Sequence, residues 1–256
     1  MVGRVLVVVI ALGCCVLVSN AAGERDQRGN LIVTLDGGLS PLKLPRDRLA
    51  PVAVRLRGAL RTDDGSILPR VTRIELGLPV QGVLDTHGLA LCSPRKLRFA
   101  TSAEAWRVCG SALVGRGRMR ADVVIPGQAP LSISARLLAF NARIGERRAI
   151  VVHAFGVGTP IAVVVRFLVG RSDGRLGRTL VAELPRALGP WPRLAEFELT
   201  LSRRFEYRGR TRSYLSASCP IPRNLTAGFF SLAQTRYTLA DGGRIGTGIT
   251  RGCRGL

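Results

Sequence analysis

Apolar and polar residues alternate with period two along most of this chain, the pattern of strands that bury one face. From Val52 to Leu60 the apolar set Val52, Val54, Leu56 and Leu60 opposes Arg55, Arg57 and Arg61. Ile74, Leu76 and Leu78 oppose Arg73 and Glu75, and Phe197, Leu199 and Leu201 oppose Glu196, Glu198 and Thr200. The same pattern predicts strands near Leu31–Leu35, Ala112–Ile125, Leu131–Phe140, Ala149–Phe155, Ile161–Val169, Leu180–Glu183, Tyr207–Ser216, Ser231–Ala240 and Gly243–Thr250. Ala149–Phe155 and Ile161–Val165 are apolar on both faces, which predicts the centre of a sheet, joined through Gly156–Pro160. Asp36-Gly37, Asp64-Gly65, Asp173-Gly174 and Asp241-Gly242 read as hairpin turns, because glycine accepts positive φ without strain.

One helix breaks the pattern. Thr101-Ser102-Ala103-Glu104 has capping-box spacing and leads through Ala105, Trp106 and Val108 into Cys109. About a dozen antiparallel strands with one short helix predict an all-β fold, a β-sandwich with a closed or half-open β-barrel as the alternative. The proline-rich stretch from Arg186 to Arg193 is the best internal boundary, yet the strands follow one another closely enough for a single domain from Asn30 to Leu256.

The start of the chain reads differently. Arg4 precedes an apolar run from Val5 to Val18 and the small residues Ser19 to Gly23, the layout of a secretory signal peptide. Residues 1–21 are its expected extent, with cleavage as late as Gly23, followed by a polar leader over residues 22–29. The run is too short for a comfortable membrane span, and no later segment is longer. Gly13-Cys14 offers a second route, a lipoprotein anchored through Cys14. Secretion or envelope association is the expected destination.

Cysteine usage agrees with that destination. Of six cysteines, Cys14 and Cys15 fall within the signal, leaving Cys92, Cys109, Cys219 and Cys253. An even number in an exported chain reads as two disulfides, and the pairs Cys92–Cys109 and Cys219–Cys253 each bracket a locally closing segment. Their loops would contribute roughly 3 and 4 kcal/mol on the chain-entropy model. With no Cys-x-x-Cys pair and two histidines, a zinc site is disfavoured, and no metal or cofactor is expected.

The charge changes the functional picture. Lys+Arg number 38 against 17 Asp+Glu, and only Lys43 and Lys96 are lysines. GC-rich coding accounts for arginine in place of lysine but not for the excess of cations over anions. A field of that sign attracts anionic polymers and surfaces. Arg116, Arg118 and Arg120 alternate along one predicted strand and Arg208, Arg210 and Arg212 along another. Each trio would lie on one sheet face with neighbours about 7 Å apart, a spacing that suits successive phosphates or carboxylates. Aromatic residues make up 5% of the chain, too thin an interleaving for sequence-specific reading of nucleic acid. Trp106 and Trp191 read as core or loop anchors, and Glu196 with Glu198 as a solvated strand face.

Catalytic signatures are few. No Gly-x-Ser-x-Gly elbow, His-Glu-x-x-His helix or phosphate-binding glycine loop occurs. His87 lies in a turn beside Asp85, and His153 lies within the most apolar strand. A hydrolase built on either is the weaker expectation, as is a carrier of an apolar ligand in a half-open barrel. The latter requires a pocket of several hundred cubic ångströms, on the order of typical ligand sites.

The segments Cys92–Cys109, Gly115–Pro130, Leu137–Asn141 and Arg210–Pro222 together resemble uncharacterised exported β-rich proteins of GC-rich Gram-positive bacteria. The resemblance spans roughly Asn30 to Cys253. It implies export and two disulfides, and carries no activity with it. The expectation is therefore a secreted, basic, disulfide-stabilised and non-enzymatic β-domain that meets anionic polymer or envelope surface through its arginines, of undetermined oligomeric state.

Overall fold

The computed structural model describes residues 24–172, 176–185 and 189–256. The signal segment with Cys14, the Asp173-Gly174 turn and part of the Arg186–Arg193 loop lie outside the described residues.

The first strands are β1 (Glu24–Arg28), β2 (Leu31–Ser40), β3 (Lys43–Leu44), β4 (Ala50–Pro51), β5 (Ala53–Thr62), β6 (Val71–Pro79) and β7 (Gly82–Leu84). Helix α1 (Ser102–Cys109) follows, then β8 (Leu113–Val123), β9 (Leu131–Ile144), β10 (Arg147–Gly156), β11 (Ala162–Arg171) and β12 (Leu176–Glu183). The last are β13 (Pro192–Leu201), β14 (Arg204–Tyr207), β15 (Arg210–Ser213), β16 (Leu215–Ala217), β17 (Ala227–Leu239) and β18 (Arg244–Gly255).

Thirteen strands form one sheet in the order β1-β2-β5-β13-β8-β9-β10-β11-β12-β6-β17-β18-β3. All its pairings are antiparallel except β18 with β3. The sheet curls until β18 meets β1 and β2, so the half-open barrel forms rather than two sandwiched sheets. Side chains bridge the seam: the Thr250 N–H donates to Glu24 at 2.8 Å and Arg28 donates to the Arg244 carbonyl at 2.8 Å. Arg251 reaches Asp36 and the Gly37 carbonyl, each at 2.6 Å.

Leu35, Leu56, Leu137, Ile150, Leu180 and Leu232 meet inside the curl. The three-stranded sheet β4-β16-β7 and the β14–β15 ribbon add Leu84, Leu215, Ala217 and Phe205 to the same core. Alternation thus buries the inner face of nearly every strand. On β9 and β10 the outer face is buried as well, with Leu138, Phe140, Ala149 and Val151 packed beneath the Cys92–Ala112 segment. This explains the doubly apolar Ala149–Phe155 run, and β10 is the middle strand of the thirteen.

Thr101 caps α1 with both halves of a capping box, and the Cys92–Cys109 disulfide pins its far end. The second disulfide, Cys219–Cys253, also forms, which is the pairing favoured among the three connectivities open to four cysteines.

Three local expectations need correction. The polar leader is partly sheet: Glu24–Arg28 is an exposed edge strand paired to β2. An edge strand needs only backbone pairing on one side, so no apolar pattern marks it. Asp36-Gly37 is no turn but lies within β2, where a Cβ on Gly37 would stand 2.4 Å from the Arg55 carbonyl oxygen. Glycine is there for close approach of β5. Tyr207–Ser216 is no single strand, because Arg208-Gly209 at φ +51° and +69° reverses the chain between β14 and β15.

Candidate anion-binding face

Strand β8 alternates Gly115, Gly117 and Met119 inward with Arg116, Arg118 and Arg120 outward, all three exposed. The first trio is therefore a ladder on the outer face of the barrel. Its surroundings come from strands remote in sequence. Strand β13 lies beside it, setting Thr200, Glu198 and Glu196 opposite Arg116, Arg118 and Arg120. Beyond β13, β5 sets Arg55 opposite Thr200 and Arg57 opposite Glu198. On the other flank β9 sets Arg136 opposite Arg118.

Glu196 and Glu198 are thus enclosed between arginine strands rather than standing as a solvated face. Glu198 bridges Arg55 at 2.9 Å and Arg118 at 3.0 Å with only 17% of its side chain exposed. Burial pulls its pKa upward, but the Arg118 hydrogen bond and the Arg55 charge outweigh that and leave it lowered. Glu196 holds Arg57 at 2.7 Å, and Asp122 lies 3.4 Å from Arg120. Six guanidiniums (Arg55, Arg57, Arg116, Arg118, Arg120 and Arg136) share this face with three carboxylates. Among the described residues Arg116 and Arg136 have no carboxylate partner. Arg116 instead lies over Trp106, its guanidinium carbon 4.2 Å from the ring centroid. Trp106, at 43% exposure, is part of this surface and not a core anchor.

The second trio does not form a ladder. Arg208 sits in the turn, off both strand faces. Arg212 is bound to Asp85 at 2.9 Å, and Arg208 and Arg212 lie 5.3 and 5.4 Å from the Tyr207 ring centroid. Arg210 is exposed at the start of β15. The trio belongs to a separate two-stranded ribbon, and among the described residues no ion pair joins it to the first. Gly209 was the available signal, since a glycine between two short alternating runs marks a two-residue turn.

Among the described residues neither histidine is paired with a nucleophile. His87 is exposed, and its Nδ1 stands 3.4 Å from Asp85, whose other carboxylate oxygen is taken by Arg212. Burial raises the Asp85 pKa, but the His87 N–H and the Arg212 guanidinium outweigh it and hold the carboxyl low. Among the described residues no hydroxyl or thiol hydrogen-bonds either imidazole.

His153 is fully buried on the outer face of β10, and its Nε2–H donates to the Ala100 carbonyl at 2.8 Å. Burial lowers its pKa, opposed by that hydrogen bond. The unfolded chain therefore binds this proton at a higher pH, near about 6.5. Stability from this group is complete above that pH and falls as pH drops toward the lowered folded pKa. The slope reaches up to about 1.4 kcal/mol per pH unit. Urea midpoints from pH 7.5 to 5 should fall less steeply in a His153→Gln chain, and parallel profiles would exclude His153 as the source.

Two cavities bear on the remaining readings. The inner one, walled by Leu39, Val54, Leu78, Leu84 and Phe230, holds about 50 Å³. That volume is below the several hundred cubic ångströms expected of a carrier of an apolar ligand. The outer cleft holds about 250 Å³ and is lined by Thr101, Ser102, Ala103, Arg136, Phe155 and Val157. Among the described residues no three His, Cys, Asp or Glu side chains are grouped to hold a metal ion, and no helix is long and apolar enough to cross a membrane.

Compared with protein-family models, curated proteins and solved structures, the chain matches none.

Arg55, Arg57, Arg136 and Trp106 complete the face, with Phe155 in the cleft beside it, and none of the five stood among the anion-binding candidates of the sequence. Arg55, Arg57 and Arg136 each occupy the polar phase of an alternating strand, a signal that was visible. Their meeting was not, because alternation assigns a face but no neighbour.

Proposed function

We propose that this chain is an exported, non-enzymatic β-domain that binds anionic polymer of the cell envelope or its surroundings through the outer face of β5, β13, β8 and β9. One observation carries the reading: six arginines converge there against three carboxylates, and two of the six are uncompensated. The two disulfides support an exported destination. Arginine suits the task because its planar fork matches carboxylate and phosphate alike.

The test is electrostatic. The full chain should be retained on a heparin column at low salt and released as salt screens the contacts. Replacing Arg116, Arg118 and Arg120 together by glutamine should weaken binding roughly tenfold or more and make log affinity fall less steeply with log salt. The same elution from parent and triple variant would overturn the assignment of this face.

A further inference from the structure

We infer that the anionic partner is an acidic polysaccharide and that one of its rings seats in the cleft between α1 and strands β9 and β10. This rests on the polyanion reading and adds the chemistry of the repeating unit. The uncompensated guanidiniums are both on the α1 side of the face, Arg116 beneath Trp106 and Arg136 in the cleft wall. Beside Arg136 stand the aromatic side of Phe155 and Ser102, whose buried Oγ has no hydrogen-bond partner.

These three groups match three parts of one acidic sugar. The guanidinium takes the carboxylate, Phe155 takes the apolar C–H face of the ring, and the serine hydroxyl takes a ring hydroxyl as donor or acceptor. A volume of about 250 Å³ fits a single ring, below the span of typical small-molecule sites. The helix end does not act as the anion donor, because Thr101 and Glu104 already satisfy its capping box.

The cleft walls are fixed before any ligand arrives. His153 lies parallel to Phe155, ring planes 8° apart and centroids 6.4 Å apart, and is hydrogen-bonded to the carbonyl of Ala100, the residue preceding the cap of α1. A positioned ring and an unsatisfied hydroxyl are wasted on charge alone.

The mixed face argues the same way. Glu196 and Glu198 sit among the arginines and can accept hydrogen bonds from hydroxyls, whereas they repel a dense row of phosphates. Single-stranded nucleic acid favours successive stacking platforms, and here Trp106 is already covered on one face by Arg116.

The experiment compares polygalacturonate, polyphosphate and oligothymidylate of matched charge on the full chain, by calorimetry at one salt concentration. Polygalacturonate should bind at least tenfold more tightly than polyphosphate. Ser102→Ala and Phe155→Leu should each remove most of that margin. Ser102→Ala should not lower the urea midpoint, because the hydroxyl it deletes bonds to nothing in the protein. Equal affinity for the two polymers, or variants that weaken both alike, would overturn the cleft while leaving the polyanion reading intact. Tighter binding of oligothymidylate would replace the polysaccharide by nucleic acid. Binding of none of the three would remove the polyanion reading itself.

Discussion

A chain in which Cys92 and Cys109 are both alanine is expected to lose about 3 kcal/mol of stability, the chain-entropy value for a loop of that size. The pair closes a separation of 17 residues. Helix α1 is only eight residues long and buries just Ala105 and Cys109, so it does not hold its place by helix propensity. What keeps it against β9 and β10 is the disulfide, the capping box and the His153–Ala100 hydrogen bond. Release of the segment uncovers Phe140 and Val151, both at 0% exposure in the parent. The urea midpoint should fall, and limited proteolysis should cut between Cys92 and Ala112 before it cuts elsewhere. An unchanged midpoint would mean that packing alone holds the segment. The proposed polyanion binding should fall with it, since Ser102 and Trp106 ride on that helix.

Gly117→Ala should be as damaging from a smaller change. A Cβ at that position would stand 1.9 Å from the Glu198 carbonyl oxygen and 2.9 Å from the Leu199 Cα. Both obstacles are backbone of the paired strand, so no rotamer relieves them and β8 must part from β13. The expected cost is about 3 kcal/mol or more, at or beyond the usual range for overpacking. Gly38→Ala is the control: nothing lies within 4 Å of its Cβ, and the change should stay within about 0.5 kcal/mol. Thermal and urea unfolding of the two variants would settle it, and a Gly117→Ala chain as stable as the parent would mean the strands do not approach so closely. The same glycine therefore supports the site, because it brings Arg118 within reach of Glu198.

The local grammar of the chain was readable. Thr101 and Glu104 announced the helix start, and the doubly apolar run at Ala149–Phe155 marked the middle of the sheet. The two disulfide pairs that form were favoured among three possible connectivities because each brackets a locally closing segment. The first arginine ladder was readable for the same reason, since period two fixes which side chains share a face. Neighbours were not readable. Strand β13 inserts between β5 and β8, bringing Glu196 to Arg57 across 139 positions, and nothing in either strand's own pattern names the other. The same limit left sandwich and barrel unresolved, because both bury one face of each strand. Trp106 read as an anchor and Phe155 as part of a central strand because each belongs to an apolar pattern of its own and meets arginine only across the fold.

The seam between the first and last strands sets the order in which the molecule assembles. Its bonds join residues 214 to 226 positions apart, Gly37 to Arg251 and Glu24 to Thr250. Contacts of such range form only after the intervening chain is ordered, which makes folding slow relative to helical proteins of the same size. They are also few and largely side-chain in character, so the seam is where the curled sheet is expected to open first. Synthesised from its N-terminus, the polypeptide must wait for β18 before β1 has a neighbour on its free side, and until then both edges remain available to other chains.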